Sequence, residues 1–167
     1  MGQLSQITKE LYYKIYKNIE NSQDYLKWSF TLIDNGFEEK SLLQLASLKS
    51  TESLFVFKEY FDKAIREMNI RIPTFEECSL AFLVKYCNEI LNENPRDIFD
   101  IVKNIFNVVV QDLDRAPEFS IWLELDDGID RIRYDDEYYK PDEGELRDRI
   151  IEQAGILIAA QDVEDFR

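Results

Sequence analysis

The chain has 167 residues, with 34 acidic and 20 basic side chains, a formal charge of −14 and no histidine. The missing imidazole excludes a Ser-His-Asp triad, a Cys-His pair, His-ligated zinc or iron and a histidine switch near neutrality. Hydrophobic residues make up 45%, which argues for a packed core despite the charge, and the length suggests one domain, 1–167.

Only 5 Gly and 4 Pro punctuate the sequence, so long helices are expected over many short strands. Ile7, Leu11, Ile15 and Ile19 recur every four residues, beside Tyr12 and Tyr16, and predict a helix opened by Thr8 or Ser5. Ser22 is the expected cap of a second helix carrying Tyr25, Leu26, Trp28, Phe30, Leu32 and Ile33 and ending at Asn35-Gly36. A short third helix is expected over Glu38 to Leu48. Ser50 or Thr51 would cap a fourth, with a stripe of Leu54, Phe57, Phe61, Ala64, Ile65 and Met68. Glu59 with Lys63 and Asp62 with Arg66 sit four apart on its solvated face.

After Pro73, Thr74 and Glu77 form a capping box for a fifth helix, running to about Glu93. Asn94-Pro95 is expected to stop that helix and start a sixth. The sixth is apolar on two sides: Ile98, Ile101, Val102, Ile105, Val108 and Val109 on one, Phe99, Phe106 and Val110 on the other. Such a helix is expected at the centre of its domain. Pro117 starts a seventh with Phe119, Ile121, Trp122 and Leu125, reaching as far as Ile129. Arg133 to Pro141 reads as a loop. Asp142 to Ala160 forms the eighth, with Leu146, Ile150, Ile151, Ala154, Leu157 and Ile158. The sum is an all-α, single-domain bundle, orthogonal or antiparallel, of about seven to eight helices.

Cys78 and Cys87 lie nine apart in one predicted helix, on opposite faces and roughly 13 Å along its axis, so they are expected unbridged and packed as small apolar residues. Unpaired thiols, with no signal peptide or apolar run long enough for a bilayer, predict a cytoplasmic protein with no membrane partner.

The charge is concentrated. Asp112 to Asp148 holds 14 acids against 5 bases. Clustered like charge stores repulsion, which a cationic partner would relieve. The same field would repel nucleic acid, and there is no cluster of Lys and Arg to neutralise phosphates. No Gly-x-Gly or Walker pattern occurs, so common nucleotide-binding routes are disfavoured. Asp126-Asp127-Gly128-Ile129-Asp130 departs from the calcium-loop pattern. Carboxylates three apart at Glu59/Asp62, Asp97/Asp100 and Asp127/Asp130 have the spacing that binds magnesium in some helical pyrophosphatases, and keep a carboxylate-metal nucleotide hydrolase as an alternative. No cofactor is otherwise expected.

Tyr134, Tyr138 and Tyr139 stand among Asp135, Asp136, Glu137 and Asp142. Tyrosine suits interfaces because its ring adds area and its hydroxyl a polar tip. The partner-binding set expected from the sequence is therefore Glu124, Asp126, Asp127, Asp130, Tyr134, Asp135, Asp136, Tyr138 and Tyr139.

The stretch from Leu54 to Ile105 includes Leu54-Phe55-Val56-Phe57, the helix with Val84-Lys85-Tyr86, Ile90-Leu91-Asn92-Glu93-Asn94-Pro95 and the helix from Asp97 to Phe106. It resembles a loose family of small, acidic, all-helical bacterial proteins of uncertain function. Leu125-Asp126-Asp127 and Ile151 to Ala159 would fill that family's acidic segment and terminal helix. Glu93-Asn94 replaces its glycine before proline. In character the chain is also similar to immunity proteins of bacterial toxin systems, which have no enzyme activity and neutralise basic nucleases. That resemblance implies a non-enzymatic inhibitor with a basic protein partner, the reading favoured here. A third reading gives the charge no role beyond solubility.

Overall fold

A computed structural model describes the backbone of residues 2–92, 97–134 and 140–164, and within those ranges the side chains of 4–160. Every described element is helical: α1 (Gly2–Lys17), α2 (Ser22–Asp34), α3 (Lys40–Ala46), α4 (Leu54–Glu67), α5 (Phe75–Ile90), α6 (Ile98–Gln111), a 3-10 turn (Pro117–Phe119), α7 (Ser120–Tyr134) and α8 (Glu143–Glu164). The fold is all-α. Its contacts fall into two compact units, Met1–Cys78 and Ser79–Arg167, divided inside α5 rather than at a linker. Length alone had pointed to one domain. The charge follows the same division: the first unit holds 10 bases and 12 acids, the second 10 bases and 22 acids.

In the first unit the core is aromatic. Phe61 of α4 meets Trp28 at 4.8 Å, edge on, and Tyr12 and Tyr25 each at 5.4 Å between ring centres. Rings in such tilted contact add roughly 0.5–1.5 kcal/mol per pair beyond the area they bury. This cluster sets the rotation of α1. Its buried side is Thr8, Leu11, Tyr12 and Tyr13, whereas Ile7 and Ile15 are only half covered and Ile19 is exposed. The four-residue isoleucine stripe expected from the sequence is displaced because ring packing at Tyr12 outweighs it. Thr8 lies inside α1 and opens nothing: its hydroxyl donates to the Leu4 carbonyl (2.9 Å) and accepts from Trp28 Nε1 (3.0 Å).

Caps explain several shifted boundaries. α2 is capped by Asn21, not Ser22, through a capping box with Asp24. Its end at Asn35-Gly36 is as expected, Gly36 taking φ +89°. α4 starts after Ser53 rather than Ser50 or Thr51. α3 spans Lys40–Ala46, inside the expected Glu38 to Leu48, and its cap comes from a distant helix: Glu67 of α4 accepts from the Ser41 N–H (2.9 Å) and hydroxyl (2.7 Å). The Thr74–Glu77 box at the start of α5 forms in both directions.

In the second unit α6 is the spine. It buries Ile98, Phe99, Ile101, Val102, Ile105, Val108 and Val109, and packs on α7 and α8. Asp97 caps it by accepting from the Phe99 N–H, while the expected start at Asn94-Pro95 lies outside the described residues. α7 runs past Ile129 to Tyr134, so Arg133 and Tyr134, expected in a loop, are helical. Gly128 lets α8 approach: a Cβ there would stand 3.3 Å from Leu146 Cδ1.

Candidate functional site

α7 sorts the expected partner-binding residues by helical geometry. Its inner side carries Trp122, Leu125 and Ile129. Glu124, Asp127, Arg131 and Tyr134 share an outward arc of about 80°. Tyr134 is 76% exposed. Asp126 and Asp130, four apart, turn toward α6. The remaining expected residues, Asp135, Asp136, Tyr138 and Tyr139, lie outside the described residues.

Asp126 requires a correction. It is only 4% exposed, so it is not displayed for a partner. Lys103 Nζ of α6 donates to its Oδ2 at 2.9 Å and stands 3.8 Å from Asp130. The other oxygen, Oδ1, is buried without a hydrogen-bond partner. Burial raises the Asp126 carboxyl above the usual range, against the pull of Lys103. Lys103, held by that carboxylate, is raised as well, and its ammonium lies 4.8 Å from the Phe106 ring centre. The group is a structural ion pair at the α6–α7 contact.

The other α7 carboxylates also have bases of their own. Asp127 pairs with Arg131 at 2.7 Å, and Glu124 lies 3.7 Å from Arg149. With Lys140, Pro141 and Leu146 these side chains line a cleft of about 430 Å³ between α7 and α8, which holds three cations and two anions. The acidic spacing at Asp97/Asp100 is bridged by Arg133, which stacks over Phe99 together with Arg147. Glu59 binds Lys63. Among the described residues no group of three or more acidic or cysteine side chains is gathered for a metal ion.

The outward surface of α8 is different, and it was not assigned from the sequence. Leu146, Ile150 and Ala154 form a narrow buried seam. On nearly the opposite side stand Glu145, Asp148, Glu152, Ile156 and Ala159, all exposed, within about 80° of arc and about 21 Å of axis. Glu145, Asp148 and Glu152 have no ion-pair partner among the described residues. Ile151 and Ile156 are 44% and 55% exposed, although Ile151 had been read with the core stripe. The face is therefore acidic over its first two turns and apolar beyond. Its signal was present in the sequence as acids at i, i+3 and i+7.

Both cysteines are buried and free. Burial pushes the Cys78 thiol up to about 11 and the Cys87 thiol up to about 12, so neither is a nucleophile at neutral pH. No described helix is long and apolar enough to cross a membrane. Comparison with protein-family models, curated proteins and solved structures gave no match.

Proposed function

We propose that this is a non-enzymatic binding protein of the inhibitor or immunity type, which holds a basic protein such as a nuclease toxin domain through the outer face of α8. The observation that carries the reading is the conjunction on that face: three exposed carboxylates that make no ion pair among the described residues, although Arg149 lies nearby on the same helix, followed by exposed Ile156. Carboxylates would steer a cationic partner and Ile156 would anchor it once water is expelled. The excess of acids in the second unit extends the attracting field beyond the three residues and disfavours pairing of two such faces. On this reading the α7 carboxylates have a lesser part. Exposed ion pairs such as Asp127–Arg131 hold their partners weakly and can exchange them for a partner's arginine. The reading includes a cytosolic location, in keeping with two unbridged thiols.

A photo-crosslinking residue at Ile156, with a control at exposed Asp34 of α2, tests the proposal in the source cells. A strongly basic protein captured from Ile156 and not from Asp34, and lost on Glu145→Gln/Asp148→Asn/Glu152→Gln, is the expected result. An acidic or neutral partner, or capture indifferent to the triple change, would overturn it.

A further inference from the structure

The first unit contains a cleft of about 350 Å³ that has no counterpart in the acidic reading of α8. Clefts of this size lie at the small end of the range that encloses small organic ligands. Its walls are Leu4, Leu32, Phe37, Met68, Ile70 and Pro73, contributed by α1, the end of α2, the end of α4 and the segments that follow them. The polar residues of the lining are few, Ser5, Thr8, Lys9 and Arg71, and none of them is acidic.

These groups are not equally available. The Thr8 hydroxyl is already committed to the Leu4 carbonyl and the Trp28 indole N–H. Arg71 is held by Glu77 through two of its nitrogens, at 2.5 and 3.2 Å, which fixes its position at the rim and offsets its charge. Lys9 has neither an ion pair nor a hydrogen bond among the described residues. Of the two cations in the lining of this mainly apolar cleft, it is the one without an ion pair.

We propose that this cleft binds a small monocarboxylate with an apolar body, a medium-chain acyl acid or a molecule of that chemistry, its chain against Leu32, Phe37 and Met68 and its carboxylate on Lys9. A neutral ligand would leave Lys9 unused. A phosphate-rich one would find only one free cation and little else polar to hold it.

Octanoate is a suitable probe, titrated by calorimetry into the full chain, with octanol as the uncharged control. Saturable binding of octanoate is expected. Lys9→Gln should weaken it about three- to fivefold, the size of a half-exposed ion pair, and leave octanol unchanged. Ser5→Trp, a substitution at an exposed position of α1, should fill the mouth and abolish both. Shortening octanoate to hexanoate should weaken binding by more than tenfold, at about 0.8 kcal/mol for each methylene buried. Absence of saturation, equal affinity in Lys9→Gln, or binding that survives Ser5→Trp would each overturn the proposal. None of these outcomes touches the reading of α8, which concerns the other unit.

Discussion

Replacing Lys103 by Met isolates the cost of burying the Asp126 carboxylate. The methionine keeps an aliphatic side chain of similar length and removes the ammonium, which lies 4.8 Å from the Phe106 ring centre and reaches Asp126 Oδ2 at 2.9 Å. Asp126 is 4% exposed and its Oδ1 already lacks a hydrogen bond, so the carboxylate would be left without any partner. Stranding one member of a fully buried pair costs about 3–5 kcal/mol. Lys103 itself is 46% exposed, so water reaches its end of the pair. Discounted for that screening, the expected loss is about 2–3 kcal/mol at pH 7.

The sign of its pH dependence follows from the direction of the Asp126 shift. A carboxyl whose folded value lies above its unfolded value favours the fold when protonated, and that contribution is lost as pH rises through the folded value. Removing Lys103 raises the folded value further. The deficit of Lys103→Met should therefore shrink as pH falls toward the unfolded aspartate range. Asp126→Asn keeps the shape and still accepts from Lys103, so it should cost about 1 kcal/mol or less. In the double variant most of the Lys103→Met penalty should disappear, because no buried charge remains. Urea unfolding of the four proteins at pH 7 and pH 5 measures all of this. A Lys103→Met penalty below that of Asp126→Asn, or one that grows on acidification, would refute the reasoning.

Two glycines give a contrast in helix packing. Gly155→Ala in α8 meets nothing within 4 Å and should stabilise by about 0.5–1 kcal/mol, whereas Gly128→Ala in α7 presses on Leu146 at 3.3 Å and should give no gain; equal shifts in thermal melts would contradict the close approach of α7 and α8. Arg71 and the Thr74 N–H hold the Glu77 carboxyl down to about 2, from 4.5. Its contribution is therefore present at neutral pH, fades below pH 4.5 and is lost as pH falls through about 2. Glu77→Gln should cost about 1 kcal/mol at pH 7 and less at pH 3, as read from urea midpoints. Both thiols should react with Ellman's reagent only as fast as the chain opens, and two rapidly reacting thiols in the native protein would show that Cys78 and Cys87 are not buried as described.

What was legible in the sequence is what depends on local pattern. The stripe of α6, the capping box at Thr74 and Glu77 and the Asn35-Gly36 stop are all short-range signals, and all appear. What escaped was set by contacts distant in sequence. The rotation of α1 follows from Phe61, and the start of α3 depends on Glu67, 26 residues away from Ser41. The acidic segment shows the same limit. Counting charges located the excess but not its pairing, because Lys103 and Arg149, which meet Asp126 and Glu124, lie outside the stretch that was counted. Of the α8 carboxylates, Glu145 and Asp148 fall within the count, hidden among residues the fold neutralises, and Glu152 falls outside it. Placing Ile151 in one stripe with Leu146 and Ile150 conceals that it is exposed, and Ile156, exposed too, belongs to no stripe read from the sequence.

The central claim is that α8 presents an electrostatically steering face to a basic partner. Its most direct test is the association rate of the purified pair, followed by stopped flow across a series of salt concentrations. The account predicts a rate that falls steeply as salt rises, and a triple variant, Glu145→Gln/Asp148→Asn/Glu152→Gln, that is slower at low salt and nearly insensitive to its increase. A wild-type rate independent of salt, or a triple variant with the wild-type slope, would contradict it.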